Sequence, residues 1–335
     1  MTRGLPLYAV NHRPLQIAAH RNFLPELAQQ LTLPHVLKDI AGLDNSAMAA
    51  LLATTDVLVS GAYPATWRPP GGPLRLIQST GAGVDGIDFP SVPAGCTVCN
   101  VYGHQRGVAE QAFMLMLALQ KGLFGLDAAL RRGNWTPQRP YLPEMNGRRL
   151  LVLGLGHIGR ELVRWGRFLD MDVAVLTRTP APERAHELGL RAFGGLSELH
   201  AHLPAADFVV VAVPATDGTT NLIGAREFAL MKPGAFIVNV GRGPVINEEA
   251  LYEALRTRRI AGAGLDVWYQ YPAPGQERLP SRLPFQELDN VIMTPHKPTT
   301  ETMAYRWKEI AANIVRLQNG EPLACIVHPA TRGSA

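Results

Sequence analysis

Cysteine is scarce in this chain, with three residues in 335: Cys96, Cys99 and Cys325. That is too few for a disulfide scaffold, and the odd count agrees with a reducing compartment. Cys96 and Cys99 share the C-x-x-C spacing of redox and zinc sites. However, TVCNV (97–101) reads as a strand, where residues three apart face opposite sides, and no second Cys or His pair completes a metal set. Buried structural thiols and no metal site are expected. Long hydrophobic runs are also missing. The longest, AFMLMLAL (112–119), is too short to span a bilayer and runs into Gln120 and Lys121. The opening MTRGLPLYAVNHRP has a short apolar run broken by Pro6, so it does not read as a signal peptide. A cytoplasmic protein with no membrane partner is expected. Charge is not clustered either. The formal net charge is +4 with a pI near 9.1, yet the basic residues are scattered, which argues against a nucleic-acid partner and suits a small anionic ligand. No internal repeat or low-complexity tract is visible.

Apolar residues make up 47% and charged residues 18%, which is ordinary for a chain that buries a substantial core. The length suggests two domains. Strand-like and helix-like segments alternate throughout, the pattern of an α/β protein with parallel sheets. DVLVSG (56–61), LRLIQST (74–80) and TVCNV (97–101) read as buried parallel strands. Residues 108–130 read as a long helix or helix pair linking two domains. Six further strand candidates follow: RRLLVLG (148–154), DVAVLT (172–177), DFVVVAVP (207–214), AFIVNVG (235–241), AGAGLDV (261–267) and NVIMTPH (290–296). Helices such as 158–169 and 247–258 fall between them, as a dinucleotide-binding domain requires. A last helix over 299–320, with Thr299 as N-cap, is expected to return to the first domain. The expected architecture is therefore two doubly wound parallel-sheet domains. One is a Rossmann dinucleotide-binding domain (102–298); the other is a discontinuous flavodoxin-like substrate domain (1–101 and 299–335), with hinges near 101–108 and 296–300.

LLVLGLGHIGR (150–160) places Gly154, Gly156 and Gly159 as G-x-G-x-x-G between a strand and a helix. Gly154 permits the tight turn, Gly156 lets backbone approach a pyrophosphate, and Gly159 allows close helix packing. With His157 and Ile158, which open the helix, they form the expected cofactor cradle. At the end of the next strand, an acid that would bind an adenosine ribose is missing: Thr177, Arg178 and Thr179 stand there. An arginine between two hydroxyls suits a 2′-phosphate, so NADP is expected ahead of NAD. The other reading of Arg178 is a solvated loop residue stacking on adenine.

STGAGVDGID (79–88), VAEQ (108–111), GLGHIGR (154–160), MKPGAFIVNVGRGPVINEEAL (231–251), GAGLDV (262–267) and TPH (294–296) together resemble the D-isomer-specific 2-hydroxyacid dehydrogenases over nearly the whole chain. The resemblance implies hydride transfer between a nicotinamide and C2 of a 2-oxo acid, in a closed cleft between the two domains. It implies that Arg242 binds substrate and that His296 is the general acid/base. By the same match Ala82 and Gly83, with Val84 beside them, offer backbone N–H groups to the substrate carboxylate, and Asp266 sits near the nicotinamide carboxamide. Val213, Pro214, Thr219, Val240 and Gly241, at or just after strand ends, fall to the cofactor. A homodimer joined through the cofactor domains is also implied. Elementary chemistry agrees with the two central roles. Reducing a carbonyl builds negative charge on its oxygen, so a forked cation and a proton donor belong there. Taken singly, Arg242 could cap a helix and His296 could be a core histidine.

Three departures stand out. The family's glutamate, just before the proline of D-V-F-x-x-E-P, is replaced by Tyr271 ahead of Pro272. Tyr271 is expected to orient His296 by a hydrogen bond without supplying charge, leaving the histidine pKa lower than beside a carboxylate. His104 and Lys297 are further cations that could contact substrate or lie on a solvated rim, and they raise the idea of a second anionic group on it. Two alternatives remain open: a binding protein that senses nicotinamide redox state without turnover, and a formate- or phosphite-type anion dehydrogenase.

Overall fold

In the computed structural model, residues 13–135, 142–272, 276–296 and 303–330 are described. The chain forms two compact units, Met1–Gly103 with Glu301–Ala335, and His104–Thr300. Thr299 and Lys297 lie outside the described residues.

The first unit begins with β1 (Leu15–Ala19), α1 (Leu24–Gln30), β2 (His35–Asp39), α2 (Asn45–Leu52), β3 (Val57–Val59) and the two-residue β4 (Ala62–Tyr63). Then come β5 (Leu76–Gln78), β6 (Gly86–Ile87) and β7 (Thr97–Cys99). β3, β5 and β7 are the three strands expected from sequence, and all of them pair in parallel. β1 and β2 were not among the expected strands; in β2, HVLKD carries three polar residues in five and none of the five is fully buried.

The second unit opens with α3 (Gln105–Lys121) and α4 (Leu123–Arg131), which bend by 57° at Gly122. The bend is local chemistry: Gly122 takes φ 63°, a left-handed conformation that caps α3 and costs a glycine little. Met114 and Leu117 on α3 and Leu123, Phe124, Leu126 and Leu130 on α4 remain exposed. After them come β8 (Arg149–Leu153), α5 (His157–Phe168), β9 (Asp172–Thr177), β10 (Ala192–Gly195), α6 (Leu199–His202) and β11 (Phe208–Val211). The unit finishes with α7 (Ala225–Leu230), β12 (Phe236–Asn239), α8 (Glu248–Arg256), β13 (Gly262–Leu265) and β14 (Val291–Met293). The sheet order is β10-β9-β8-β11-β12-β13-β14, parallel throughout, with the chain order reversing at β8, beside the central β11. Six of the seven strands were expected. AFGG, the seventh, carries two glycines and one large apolar side chain, too little to read as a strand.

Alternation along these strands builds one core on each sheet face. Leu151, Leu153, Val209 and Val211 pack on one side, and Leu150, Val152, Phe208 and Val210 on the other. Each such side chain contributes roughly 1.5–3 kcal/mol of burial, and covering both faces explains why these strands read as continuous apolar runs.

The chain returns to the first unit through α9 (Met303–Asn319) and β15 (Ile326–His328). The first sheet then runs β15-β7-β5-β3-β1-β2, with β15 antiparallel on the edge and the rest in the flavodoxin-like order. Cys96 and Cys99 sit fully buried in different core clusters, and burial pushes each thiol up to about 12. They are structural thiols on opposite sides of the sheet, as the strand reading requires. Among the described residues no single helix is long and apolar enough to cross a membrane.

Candidate active site

In the second unit the loops after β12, β13 and β14 carry Arg242, Asp266 and His296 in that spatial order. Backbone bonds tie the three strand ends together: Asp266 N–H donates to Asn239 O at 3.1 Å, and Thr294 N–H to Leu265 O at 2.9 Å. The buried Asn239 side chain shapes the first loop, donating to Arg242 O at 2.9 Å and accepting from Gly241 N–H at 3.1 Å. Arg242 itself donates from Nη1 to Gly241 O at 2.8 Å. Gly243 must lack a side chain, since a Cβ there would stand 2.2 Å from Trp268 O.

Asp266 is buried, and its Oδ1 accepts a 2.6 Å hydrogen bond from Thr294 Oγ1. Thr294 Oγ1 in turn accepts from Gln111 Nε2 of α3 at 3.0 Å. The indole Nε1 of Trp268 donates to Thr294 O at 2.8 Å. Burial raises the Asp266 pKa, while the Thr294 hydrogen bond, the nearby His296 ring and the His296 backbone N–H all pull it back. Gln111, Trp268 and Thr294 were not singled out from sequence. Gln111 and Thr294 lie in the quoted motifs VAEQ and TPH, and Trp268 directly follows GAGLDV; the signal is that motif residues from separate elements meet at Thr294, which holds the Asp266 carboxylate.

His296 adopts φ 54° and its side chain reaches solvent. Desolvation by the protein around the ring nevertheless lowers its pKa; Asp266 raises it and Arg242 lowers it. Burial leads this lowering, with Asp266 pulling the other way; the expectation compared the histidine with one paired to a carboxylate, a different reference. Tyr271 is 57% exposed, with its ring 5.6 Å from that of His296 at 48°. Its hydroxyl accepts from Trp268 N–H at 3.3 Å, so the phenol is anchored to its own loop.

At the glycine motif, space is closed at two positions and open at one. Gly154 has φ 102°, and a Cβ there would meet Ala212 O and Val213 Cγ1 at 2.9 Å. A Cβ on Gly159 would stand 2.0 Å from Gly154 O, whereas one on Gly156 would have nothing within 4 Å. Helix α5 begins just beyond with no side-chain cap and no acid in its first turn, and His157 is exposed there with Ile158 half-buried beside it. Open space over bare helix amides is what a pyrophosphate needs. At the end of β9, Arg178 and Thr179 are exposed, and the Thr177 hydroxyl donates to Thr179 O at 2.9 Å. Thr219 is also engaged locally, its hydroxyl donating to Pro214 O at 2.6 Å and so closing the loop after β11. Val213 and Val240 are buried at the neighbouring strand ends, and a Cβ on Gly241 would meet Val213 O at 2.5 Å. The arrangement is that of an α/β protein whose dinucleotide-binding edge carries an Arg, His and Asp cluster.

His104 is half-buried and opens α3, its carbonyl accepting from Val108 N–H at 3.0 Å. Ala82, Gly83 and Val84 belong to the first unit, in the loop that follows β5.

Residues 113–297 match the family described as D-isomer specific 2-hydroxyacid dehydrogenase, NAD binding domain. A glyoxylate reductase of Thermococcus gammatolerans is 34% identical over 262 residues, covering 74% of each chain. A D-3-phosphoglycerate dehydrogenase of Archaeoglobus fulgidus is 34% identical over 254 residues, which are 75% of this chain and 46% of that one. The chain thus spans about half the length of the phosphoglycerate dehydrogenases it matches. Among solved structures, the NADPH-dependent glyoxylate/hydroxypyruvate reductase of Sinorhizobium meliloti, in complex with NADP and malonate, has 25% identity and a TM-score of 0.79, covering 96% of this chain and all of that one. The chain belongs to the D-isomer specific 2-hydroxyacid dehydrogenase family.

The electrostatics generate a test that needs no turnover. Replacing Asp266 by Asn removes the charge that favours the imidazolium, so the His296 titration midpoint, followed by NMR of the ring proton, moves to lower pH. Arg242→Gln removes a repelling charge and moves it to higher pH. A midpoint unmoved in both variants means that neither group acts on His296.

Proposed function

We propose that the protein is an oxidoreductase that transfers a hydride between a nicotinamide dinucleotide, NADPH ahead of NADH, and C2 of a small anionic 2-oxo acid. The observation that carries this reading is the convergence of Arg242, Asp266 and His296 on adjacent strand ends beside the glycine cradle of α5. The bound dinucleotide supplies the hydride. Arg242 forks its guanidinium onto the substrate carboxylate and carbonyl, drawing charge toward the oxygen. His296, protonated, gives its ring proton to that oxygen, and takes one back in the oxidative direction. Asp266 holds the imidazolium charge, and Thr294, Gln111 and Trp268 fix the carboxylate that does so. Tyr271 packs its ring beside the imidazole and keeps it aimed.

The His296 pKa is lowered, so the protonated donor is depleted toward neutral pH. The reductive rate therefore falls as pH rises through that pKa, and the oxidative rate rises over the same interval. A panel of 2-oxo acids with NADPH, scanned across pH, checks both points. His296→Ala should lose about 100-fold or more in kcat while still binding the dinucleotide. Absence of turnover with every member, alongside tight dinucleotide binding, favours a redox-sensing role. Turnover confined to formate or phosphite favours an anion dehydrogenase.

NADPH preference rests on Arg178, exposed at the end of β9 with no acid at Thr177 or Thr179 to repel a 2′-phosphate. In the Arg178→Ala variant the KM for NADPH rises while that for NADH changes little. Equal losses with both nucleotides contradict the assignment.

The exposed apolar side chains of α3 and α4 support a homodimer joined through the dinucleotide-binding units. Sedimentation equilibrium at micromolar protein should give twice the chain mass, and a monomer alone refutes it.

A further inference from the structure

In the first unit the chain enters four neighbouring parallel strands, β7-β5-β3-β1 in sheet order, along one edge. Leu15 opens β1, Asp56 directly precedes β3, Arg75 directly precedes β5, and Gly95 lies two residues before β7. These four residues line a single cavity of about 490 Å³. A second cavity of about 410 Å³ adjoins it across Gly72 and Pro93, which line both. Each volume falls in the range of roughly 300–1,000 Å³ of small-molecule sites. Open parallel sheets carry their chemistry at the carboxyl ends of the strands, so this amino-terminal edge is free of it, and the loop Ala82–Val84 leaves β5 at its other end.

The charges on this edge do not balance. Asp56 is buried, and its carboxylate is already satisfied: Oδ1 accepts from Arg13 Nη2 at 2.6 Å and Oδ2 from Gln16 N–H at 2.9 Å. Arg75 is drawn to the same Oδ1 but stays 3.9 Å away, too far for a hydrogen bond, and its guanidinium makes none among the described residues. Arg68, in the adjoining cavity, has neither a side-chain hydrogen bond nor an ion pair among the described residues. Three guanidinium groups thus face the two cavities against one carboxylate, and two of the three keep all their donors unspent. The ridge between the cavities is preformed. Gly72, at φ 141°, lies so close to the end of α2 that a Cβ there would stand 2.6 Å from Ala53 O, and Pro70 and Pro73 restrict the backbone on either side. At the rim, a Cβ on Gly95 would meet nothing within 4 Å, so a ligand can approach the backbone.

We propose that these adjoining cavities form a binding site for a small multivalent oxyanion, phosphate or carboxylate, with one anionic group forked by Arg75 and another by Arg68. Guanidinium groups with unspent donors pair such groups two bonds at a time. Arg13 is held back by Asp56 and lends charge to the first position. The site is separate from the hydride-transfer reading above and does not depend on it.

Pyrophosphate and citrate, each titrated into the wild-type protein at matched ionic strength, test the proposal through the NMR signals of the Gly72 and Gly95 amides, which report on this edge alone. At least one of the two should shift both signals saturably with a Kd below about 1 mM, and the tighter one identifies the preferred group. Arg68→Gln and Arg75→Gln should each raise that Kd by about tenfold or more, the worth of a charge-assisted hydrogen bond. Arg75→Lys, which keeps the charge and loses the fork, should fall between. Arg132→Gln, at the end of α4 and outside both cavities, should leave the Kd unchanged. Shifts that grow without saturating for both anions overturn the proposal, as does a Kd indifferent to Arg68 and Arg75. An equal rise in Arg132→Gln means attraction to net charge only, and the site fails. If Arg75→Gln does not fold because Asp56 needs its charge, Arg68→Gln, whose side chain holds nothing in the protein, carries the same comparison.

Discussion

The 2.6 Å hydrogen bond between Thr294 Oγ1 and the buried Asp266 carboxylate is the contact on which the rest of the candidate site depends. An isolated carboxylate in a protein interior is costly, and it persists only where donors surround it. Here the donors come from elements far apart in sequence: the Thr294 hydroxyl after β14, the His296 backbone after that, and Gln111 of α3, which reaches the same hydroxyl. Each donor fixes a piece of the site in satisfying the carboxylate. The helix α3 is pinned to the sheet edge, the loop after β14 is closed, and His296 is held within the field of a negative charge.

That field bears on the one position where the sequence departs most plainly from its family. With Tyr271 in the place of a glutamate, the histidine has an aromatic neighbour and no adjacent acid. The negative charge nearest the ring is that of Asp266, on the neighbouring strand end, and its donors favour its ionised form. Its attraction for an imidazolium is outweighed by desolvation of the ring and by Arg242, so the His296 pKa lies below the ordinary histidine value with burial the leading cause.

Most of the architecture could be read from sequence because parallel strands buried on both faces leave unbroken apolar runs. DVAVLT and DFVVVAVP could hardly be anything else. β10 was missed where glycine diluted the run, and β2 where three polar residues in five hid it. The glycine motif was legible because its meaning is steric, and the 2.0 Å approach at Gly159 bears that out. What could not be read was side-chain pairing, near or far. Residue type alone does not say that the hydroxyls of Thr177 and Thr219 are engaged within their own loops or that the phenol of Tyr271 accepts from Trp268 three residues earlier, because loop conformation decides each of them. That Gln111 finds Thr294 from 183 residues away depends on how the helix packs on the sheet.

The left-handed backbone at His296 has a consequence of a different kind. At φ 54° a histidine carries conformational strain that a glycine would escape and an asparagine would tolerate better. Stability alone would therefore favour discarding the histidine, and drift toward a firmer fold and drift toward a silent enzyme run in the same direction at this position. A homologue with Gly or Asn here is the sign to look for when separating members of the family that turn over from those that only bind.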